Sequence, residues 1–354
     1  MRDVLSEWGP RVDAAIADLL PREVDEEYLE SFFGPASYAY DVDAIQRGLA
    51  DPVWELLDRG GKRWRSVLFL LIVDAFGEDP EAYLPYATVP EILHTGTIIV
   101  DDVEDGAELR RGETALHRRY GRDVALNAGN ALYFVPLKLI GRNPAELPAE
   151  RRLRAYEMLT YELNRTHLGQ GMDIDWHNRV PEDVPEAEYL EMCACKTGCL
   201  ARIVARLAAI VTGQSERVED RIAVYAERMS IAFQIIDDVL DIEHSLGEAG
   251  EFGKAFGNDI REGKITLMVL HAVREAPPER SRRLRAILGE NDPDDDAIIE
   301  AIDILRETGS VEYGRRTAEN LAEEARGIVE DLDLAPGPAE TLAEFPRFMI
   351  DREA

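Results

Sequence analysis

Two acidic motifs of the same form, D-D-x-x-D, occur in this chain of 354 residues, at 101–105 (DDVED) and at 237–241 (DDVLD). On a helix, residues i and i+4 share a face, so Asp101 pairs with Asp105 and Asp237 pairs with Asp241. Like charges at this spacing repel each other unless a cation lies between them. Two carboxylates that leave room for water and phosphate oxygens are typical of Mg²⁺. Each motif therefore predicts a magnesium site that a phosphate completes.

Two other interpretations of these motifs are weaker. In a chain with 70 acidic residues, a single motif of this kind would more often be a solvated acidic face. Here both motifs directly follow apolar turns, at 98–100 and 233–236, and carboxylates that emerge from buried helices are costly unless they are paired. A calcium loop starting at Asp101 fails because Val103 fills the third ligand position and Gly112 stands where a bidentate Glu belongs.

Basic residues stand beside both motifs, although the chain has only 40 of them against 70 acidic residues. The segment 60–65 (GGKRWR) opens a predicted helix, and its two glycines would let backbone N–H groups approach a phosphate. Each cation alone could serve a structural ion pair, and Gly60-Gly61 could be a simple turn. Their joint arrangement indicates a shared anion. The other cations of this set are Arg110, Arg111, Lys196, Lys254 and Lys264.

Apolar residues recur at spacings of three and four through most of the chain, which predicts an all-α protein. We expect one large helical bundle with a central apolar cavity and a single domain over 1–354. The catalytic motifs lie within 60–267, and 276–354 is expected to be an acidic helical subregion. The predicted helices cover 3–20, 41–58, 62–76, 88–104, 123–141, 149–176, 186–213, 217–243, 263–275 and shorter stretches beyond.

The formal net charge of −30 argues against nucleic acids and anionic membrane surfaces as partners, because clustered Lys and Arg normally capture them. The longest apolar run, 67–73, is far shorter than the roughly 20 residues of a membrane-spanning helix. The N-terminus shows no basic segment followed by an apolar one, so we expect a cytoplasmic protein that does not span a membrane. Acid spread over many segments suggests a halophilic host, where salt screens the repulsion.

Three cysteines, Cys193, Cys195 and Cys199, lie within seven residues of each other. Their odd number suits reduced thiols better than a disulfide framework. A zinc site would need a fourth ligand, so buried small side chains are the preferred interpretation.

As a set, the motifs resemble those of the trans-isoprenyl diphosphate synthases, the polyprenyl synthetase family that includes farnesyl and geranylgeranyl diphosphate synthases. The resemblance extends over about 40–275. The segments that carry it are GGKRWR, His94-Thr95 before DDVEDGAELRRG, Gln170 with Asp173, Lys196-Thr197-Gly198, FQIIDDVLD and GKAFGNDIREGKITL.

The resemblance implies an isoprenoid synthase fold and a role for each matching residue. The implied metal ligands are Asp101, Asp102 and Asp105 for two Mg²⁺ on an allylic diphosphate, and Asp237, Asp238 and Asp241 for a third. The implied pocket for isopentenyl diphosphate consists of Lys62, Arg65, His94 and Arg111. The implied cations around the allylic diphosphate are Arg110, Lys196, Lys254 and Lys264. The implied polar groups near the reacting carbons are Thr197, Gln234 and Gln170. His94 alone would more often be a hydrogen-bonded core residue, and its place seven residues before Asp101 favours the ligand role.

The implied chemistry is ionisation of an allylic diphosphate to a carbocation, head-to-tail attack by isopentenyl diphosphate, and loss of a proton. In this family a bulky side chain upstream of the first motif limits product length. The fifth residue before Asp101 is Gly96, so we expect a product of C20 or longer, which Gly96→Phe would shorten. The family also implies a homodimer.

Three alternative functions stay open. A terpene cyclase shares the first motif, but it uses one diphosphate and usually carries an Asn/Ser/Glu metal motif second, so GGKRWR and the second D-D-x-x-D speak against it. A non-catalytic subunit of a heteromeric synthase would be expected to have lost acidic ligands, which are intact here. An acidic metal-buffering protein would not need Lys62, Arg65, Arg110 and Arg111.

Overall fold

The computed structural model of the chain describes residues 1–181, 183–244, 257–290 and 293–351. Its backbone forms two compact units. Unit 1 consists of Met1–Leu159 with Ile203–Glu216, and unit 2 consists of Thr160–Arg202 with Arg217–Ala354. Within the described residues the regular structure is helical apart from one two-stranded hairpin. The predicted all-α class is therefore confirmed.

The first part of the chain, up to the long helix that begins at Ala149, contains nine helices and the hairpin in the described residues. Their bounds are α1 Arg2–Leu19, α2 Glu26–Phe33, α3 Val42–Ile45, a π-helical turn Gln46–Ala50, α4 Asp51–Asp58, α5 Trp64–Ala75, a 3₁₀ turn Pro80–Tyr83, α6 Leu84–Glu104, β1 Leu109–Arg110, β2 Glu113–Thr114, α7 Leu116–Tyr120, α8 Arg122–Arg142 and α9 Ala149–Arg179.

The second part of the chain continues with helices that carry the second acidic motif and the acidic C-terminal region. Their bounds are α10 Glu186–Cys193, a π-helical turn Ala194–Gly198, α11 Cys199–Thr212, α12 Glu216–His244, α13 Asn258–Arg261, α14 Leu267–Glu275, α15 Pro278–Leu288, α16 Asp295–Glu307, α17 Ser310–Glu330 and α18 Pro336–Ile350. The predicted helical character of 276–354 is confirmed for the described part of that region.

The sequence explains where several of these helices begin. Side-chain oxygens of Asp25, Asp294 and Thr266 accept hydrogen bonds from backbone N–H groups of the first turns of α2, α16 and α14. In α5 every residue except Asp74 is buried, as expected of a helix that is apolar on all sides. In unit 2, apolar side chains of α10, α12 and α14 to α17 form one core cluster, so the C-terminal helices pack together with the helix of the second motif.

Two short features were not predicted. Helix α2 has only eight residues between its Asp25 cap and Gly34, whose φ of 98° ends it. Each strand of the hairpin has two residues, which is too short for period-two alternation to be visible. The structure also divides the predicted helices 41–58 and 186–213 by π-helical turns.

Helices α6 and α8 contact each other through two glycines. A Cβ atom added at Gly96 would lie 2.8 Å from the carbonyl oxygen of Gly129 and 2.9 Å from Cβ of Leu132. A Cβ added at Gly129 would lie 2.9 Å from Cγ2 of Val100. Position 96 therefore faces the backbone of α8. The small side chain is required by this helix packing, and the effect of Gly96→Phe on product length stays a prediction.

We expect Gly96→Ala to lower the free energy of unfolding by about 1–3 kcal/mol, because the methyl group overpacks the contact with α8. Gly327→Ala in α17 is the control, since a Cβ there meets open space and removes only the helix penalty of glycine. Urea denaturation of both variants measures the difference. Equal stability of the two variants would show that α6 and α8 are not in this close contact.

Unit 1 also contains an apolar cavity of about 370 Å³ lined by N-terminal helices and α8. Of the described helices, α8 is the one that is long and apolar enough to cross a membrane by length and composition. In this unit, however, its buried residues include Gly129 and Leu132, which lie toward α6. A core helix passes the same test of length and composition.

Candidate functional site

The first acidic motif lies at the carboxyl end of α6, where Asp105 is the cap and donates its backbone N–H to the carbonyl oxygen of Asp101 at 2.8 Å. Negative side chains at this end oppose the helix dipole and so require cations nearby. Arg110 supplies one: its Nε donates to Oδ1 of Asp102 at 2.7 Å, and its Nη2 lies 3.9 Å from Oδ2 of Asp101. Burial raises the pKa of Asp102, and the Arg110 guanidinium opposes that rise.

The β1–β2 hairpin presents Arg110 and Arg111 next to this motif. Arg110 pairs with Glu113 across the hairpin, and Arg111-Gly112 form its turn. Both turn residues have positive φ, 54° for Arg111 and 77° for Gly112, as a type I′ turn requires. The guanidinium of Arg111 donates to the carbonyl oxygens of Gly60 and Leu56, the second at 3.3 Å. Arg111, in the hairpin turn, is thus hydrogen-bonded to the first glycine of GGKRWR.

The Gly60-Gly61 turn precedes α5, and two arginine side chains lie close to it. A Cβ atom at Gly61 would lie 3.3 Å from Nη1 of Arg63 and 3.6 Å from Nη2 of Arg111. Glycine at this position therefore allows two guanidinium groups to approach the turn. Arg63 itself has a left-handed φ of 49° and donates through Nε to Asp13 at 2.7 Å.

The electrostatic environment of His94 shows how much positive charge is gathered here. Burial and the neighbouring arginines hold its pKa well below the ordinary value, so the imidazole is neutral at pH 7. We call the four arginines that act on it the arginine cluster, which consists of Arg65, Arg111, Arg110 and Arg63. Burial, followed by Arg63, also lowers the pKa of Arg111. In a chain of net charge −30, such a positive concentration in unit 1 is a strong attractor for a polyanion.

The second acidic motif lies near the end of α12 in unit 2 and is largely buried. Asp238 is 7% exposed and Asp241 is 9% exposed. Asp238 accepts hydrogen bonds from Nε2 of Gln234 at 2.8 Å and from the hydroxyl of Tyr189 at 3.2 Å. Burial, and next the charge of Asp259, raise the pKa of Asp238. The carboxylates therefore lie in a place where an added cation would be stabilising.

The π-helical turn 194–198 joins Lys196 and Thr197 to this motif. Nζ of Lys196 lies 2.6 Å from Oδ2 of Asp173, and the Thr197 hydroxyl donates to Oε1 of Gln234 at 3.2 Å. Gly169 in α9 permits this arrangement, since a Cβ there would lie 2.8 Å from Cβ of Cys195. A π-helical turn inside a helix is common at functional sites.

The remaining predicted site residues are placed as follows. Nζ of Lys264 lies 3.2 Å from Oδ1 of Asp259 and 2.7 Å from Oε2 of Glu262. Gln170 is half-buried on α9, within one turn of Asp173. Lys254 lies outside the described residues. The predicted residues thus divide between unit 1 (Lys62, Arg65, His94, Asp101, Asp102, Asp105, Arg110, Arg111) and unit 2 (Gln170, Lys196, Thr197, Gln234, Asp237, Asp238, Asp241, Lys264).

The donor atoms of both motifs fit Mg²⁺. They are carboxylate oxygens, and three of the motif carboxyls, those of Asp102, Asp238 and Asp241, belong to residues that are less than 10% exposed. In the described part of the chain, no three His, Cys, Asp or Glu side chains form a ready metal site. Mg²⁺ is usually held by one or two carboxylates together with waters and substrate phosphates.

Sequence reasoning missed several residues of these sites. Tyr189 stands seven residues before Lys196, a spacing that places two residues on one helical face, so this signal was available. Asp259, whose backbone N–H donates to Asp241 at 3.2 Å, lies in the segment GKAFGNDIREGKITL, but no role was predicted for it. Arg59 and Arg63 were missed because the hairpin carbonyls that Arg59 contacts, and Asp13, which pairs with Arg63, are distant in sequence.

The cysteines are buried free thiols, as predicted. Burial raises the pKa of Cys193 and of Cys199, so both are unreactive neutral groups at pH 7. Cys195 lies 3.4 Å from the guanidinium of Arg165 and 3.3 Å from Glu191.

Comparison with known proteins agrees with this chemistry. The family model described as polyprenyl synthetase matches residues 46–305. The chain is 35% identical over 260 residues to a short chain isoprenyl diphosphate synthase of Methanocaldococcus jannaschii, with 73% of this chain and 76% of the relative covered. It is 31% identical to a geranylgeranyl diphosphate synthase of Methanosarcina mazei, with 99% and 98% covered.

The fold has close matches among solved structures as well. The crystal structure of a geranylgeranyl pyrophosphate synthetase from Pyrococcus horikoshii superposes with a TM-score of 0.83 at 28% identity, covering 99% of each chain. An all-α isoprenoid synthase fold is thus shared over nearly the whole length. From its motifs, its fold and these matches, the chain belongs to the polyprenyl synthetase family and is a prenyltransferase of isoprenoid biosynthesis.

Proposed function

We propose that this enzyme joins isopentenyl diphosphate head-to-tail to an allylic diphosphate and releases a linear trans-polyprenyl diphosphate of C20 or longer. The observation that carries this proposal is the presence of clustered arginines in unit 1 and of two acidic motifs, one in each unit, because two diphosphate substrates need separate sites. The arginine cluster supports a site for a polyanion, and the carboxylate motifs support metal ions. The relatives named above are short chain isoprenyl and geranylgeranyl diphosphate synthases, which supports the substrate class and the product length.

In unit 1, we assign Lys62, Arg65, His94 and Arg111 to the diphosphate of isopentenyl diphosphate. The arginines neutralise its charge, and the neutral imidazole of His94 can donate one hydrogen bond and accept another. Binding by fixed cations in a partly buried site orients the substrate double bond and holds it still. Because Arg111 also bonds to the Gly60 carbonyl, its position is set before the substrate arrives.

The allylic diphosphate is assigned to the acidic motifs with Arg110, Lys196, Lys254 and Lys264. The metal ligands are Asp101, Asp102 and Asp105 in the first motif and Asp237, Asp238 and Asp241 in the second. The family is generally Mg²⁺-dependent, and we propose three ions in all, two on the first motif and a third on the second. Bound Mg²⁺ would neutralise the diphosphate and make it a better leaving group.

The chain's own groups then support the rest of the reaction. As the allylic C–O bond breaks, the departing diphosphate keeps the electron pair and stays beside Lys196, while the new C–C bond forms from the double bond of isopentenyl diphosphate. Thr197, Gln234 and Gln170 are assigned to the region of the reacting carbons. The hydrogen bonds from Thr197 to Gln234 and from Gln234 to Asp238 fix the orientation of the Thr197 and Gln234 side chains. The proton lost at the end is assigned to the departing diphosphate, so no protein nucleophile is needed.

We further propose a cytoplasmic homodimer, on the strength of the family motifs, and a halophilic host, on the strength of the dispersed acidic charge. A terpene cyclase of the same fold is the second candidate. The presence of the arginine cluster favours the synthase, because a cyclase binds one diphosphate and has no second one to neutralise.

Incubation of the protein with labelled isopentenyl diphosphate, Mg²⁺ and dimethylallyl, geranyl or farnesyl diphosphate in high salt tests the proposal. Chain-length analysis is expected to show linear products of C20 or longer. Release of a cyclic hydrocarbon without uptake of label would favour the cyclase. No elongation of any of the three substrates would favour a non-catalytic subunit.

A further inference from the structure

Arg59 contacts or adjoins two segments of unit 1, the Gly60-Gly61 turn and the β1–β2 hairpin. The reaction described above assigns Arg59 no role. It is the C-terminal cap residue of α4 and directly precedes Gly60. Its side chain is only 3% exposed. A buried arginine needs partners for its donors, so its contacts identify what it does.

The guanidinium of Arg59 bonds to both arms of the β1–β2 hairpin. Nη1 donates to the carbonyl oxygen of Arg110 at 3.0 Å, and Nη2 donates to the carbonyl oxygen of Thr114 at 2.9 Å. Because the planar guanidinium has several donors in a fixed geometry, one side chain fixes two points of the hairpin backbone.

Glu55, one turn earlier on α4, holds the Arg59 side chain in place. Oε1 of Glu55 accepts from Nη2 of Arg59 at 2.7 Å and lies 2.8 Å from Nη1 of Arg119, while the hydroxyl of Tyr120 donates to Oε2 at 2.5 Å. Burial alone would raise the pKa of Glu55, but the hydrogen bonds from Tyr120 and Arg59 outweigh it and lower the pKa. Glu55 is therefore charged at pH 7 and keeps Arg59 aimed at the hairpin.

The end of α4 and the hairpin each donate hydrogen bonds to the other. Arg59 of the α4 end donates to the hairpin carbonyl of Arg110, and Arg111 of the hairpin donates to the carbonyls of Leu56 and Gly60. Carbonyls at the end of a helix lack helical partners and attract cations. Two arginines thus join the glycine turn and the hairpin, the two segments that carry Lys62 and the Arg110-Arg111 pair.

We propose that Arg59 is a positioning residue, which fixes the Arg110-Arg111 hairpin against the Gly60-Gly61 turn and so sets the geometry of the diphosphate pocket. The proposal rests on the proposed function for its kinetic consequence, but its structural claim concerns the hairpin alone. Displacement of catalytic groups by about 1 Å can cost about a hundredfold in rate, so loss of this connection is expected to be costly.

Arg59→Gln and Arg59→Lys test this, with Arg22→Gln as control. Arg22 pairs with both carboxylate oxygens of Asp58 at 2.6 Å and lies over Trp54, so both of these described partners are on α4. For Arg59→Gln we expect KM for isopentenyl diphosphate to rise about 10- to 100-fold with kcat within about threefold of wild type. Arg59→Lys should recover part of the loss, since one ammonium cannot reproduce the bidentate contact. Arg22→Gln should match wild type.

Hydrogen–deuterium exchange of residues 107–115 gives a readout that does not depend on turnover. We expect faster exchange in this segment in Arg59→Gln, and unchanged exchange in Arg22→Gln. If the wild type failed to elongate any substrate, the proposed function would fail, and exchange would still decide whether Arg59 fixes the hairpin. If Arg59→Gln did not fold, hydrogen–deuterium exchange and KM would be measured on Arg59→Lys instead. Unchanged exchange of residues 107–115 in the Arg59 variants would overturn the proposal. So would an unchanged KM together with a kcat that falls only as much as the folded fraction of the protein falls.

Discussion

Asp101→Asn is expected to lower kcat by about 10²- to 10³-fold while the protein stays folded. The change removes the charge of one proposed metal ligand at the end of α6, where the side chain of Asp101 is 26% exposed and contributes little to the core. The loss falls on the step in which the diphosphate departs, because the site can no longer neutralise the charge that develops there. Asp237→Asn is expected to cause a loss of the same order in unit 2.

Glu104→Gln is the matched control for Asp101→Asn. It removes one negative charge from the same helical turn, from an exposed position outside the D-D-x-x-D pattern. Steady-state rates with labelled isopentenyl diphosphate, taken over a range of Mg²⁺ concentrations, compare the two variants. If both variants retained similar activity, the first motif would be a charged surface and not a metal site.

Arg202→Met is expected to lower the free energy of unfolding by about 3–5 kcal/mol. Arg202 is 7% exposed, and its guanidinium holds Glu162, which is 1% exposed, and also Glu227. Methionine would fill the space but leave two carboxylates in a buried setting without their shared cation. The cost is the desolvation of those charges, which the arginine now offsets.

Arg228→Met serves as the comparison for Arg202→Met. Arg228 pairs with Glu324 at 3.3 Å, with side chains 38% and 60% exposed, and an exposed pair of this kind contributes less than about 1 kcal/mol. Urea unfolding of both variants at one salt concentration measures the difference. Similar unfolding free energies would show that the Arg202 network is solvated in solution.

The helices and the acidic motifs could be predicted because both depend on local spacing. The predicted helix 217–243 appears as Glu216–His244, and 149–176 appears as Ala149–Arg179. In the same way the i,i+4 pairs of D-D-x-x-D and the Gly-Gly before α5 are local signals. They reveal which residues carry charge and on which element, and they need no knowledge of tertiary contacts.

The contacts that orient those residues could not be predicted, because they join distant segments. Arg59 meets Thr114 across 55 positions, and Tyr189 meets Asp238 across 49. The contact of Gly96 with α8 was missed for the same reason, since its position before Asp101 in sequence says nothing about which neighbouring helix it faces. Only its packing against Gly129 shows why a side chain is excluded there.

A crystal structure of the protein with Mg²⁺ and a non-reactive allylic thiodiphosphate tests the central claim most directly. We predict metal ions on carboxylate oxygens of both acidic motifs when the diphosphate is bound, those of Asp101 and Asp105 in the first motif and that of Asp237 in the second. A diphosphate bound away from both motifs, or metal ions that contact neither of them, would contradict the account.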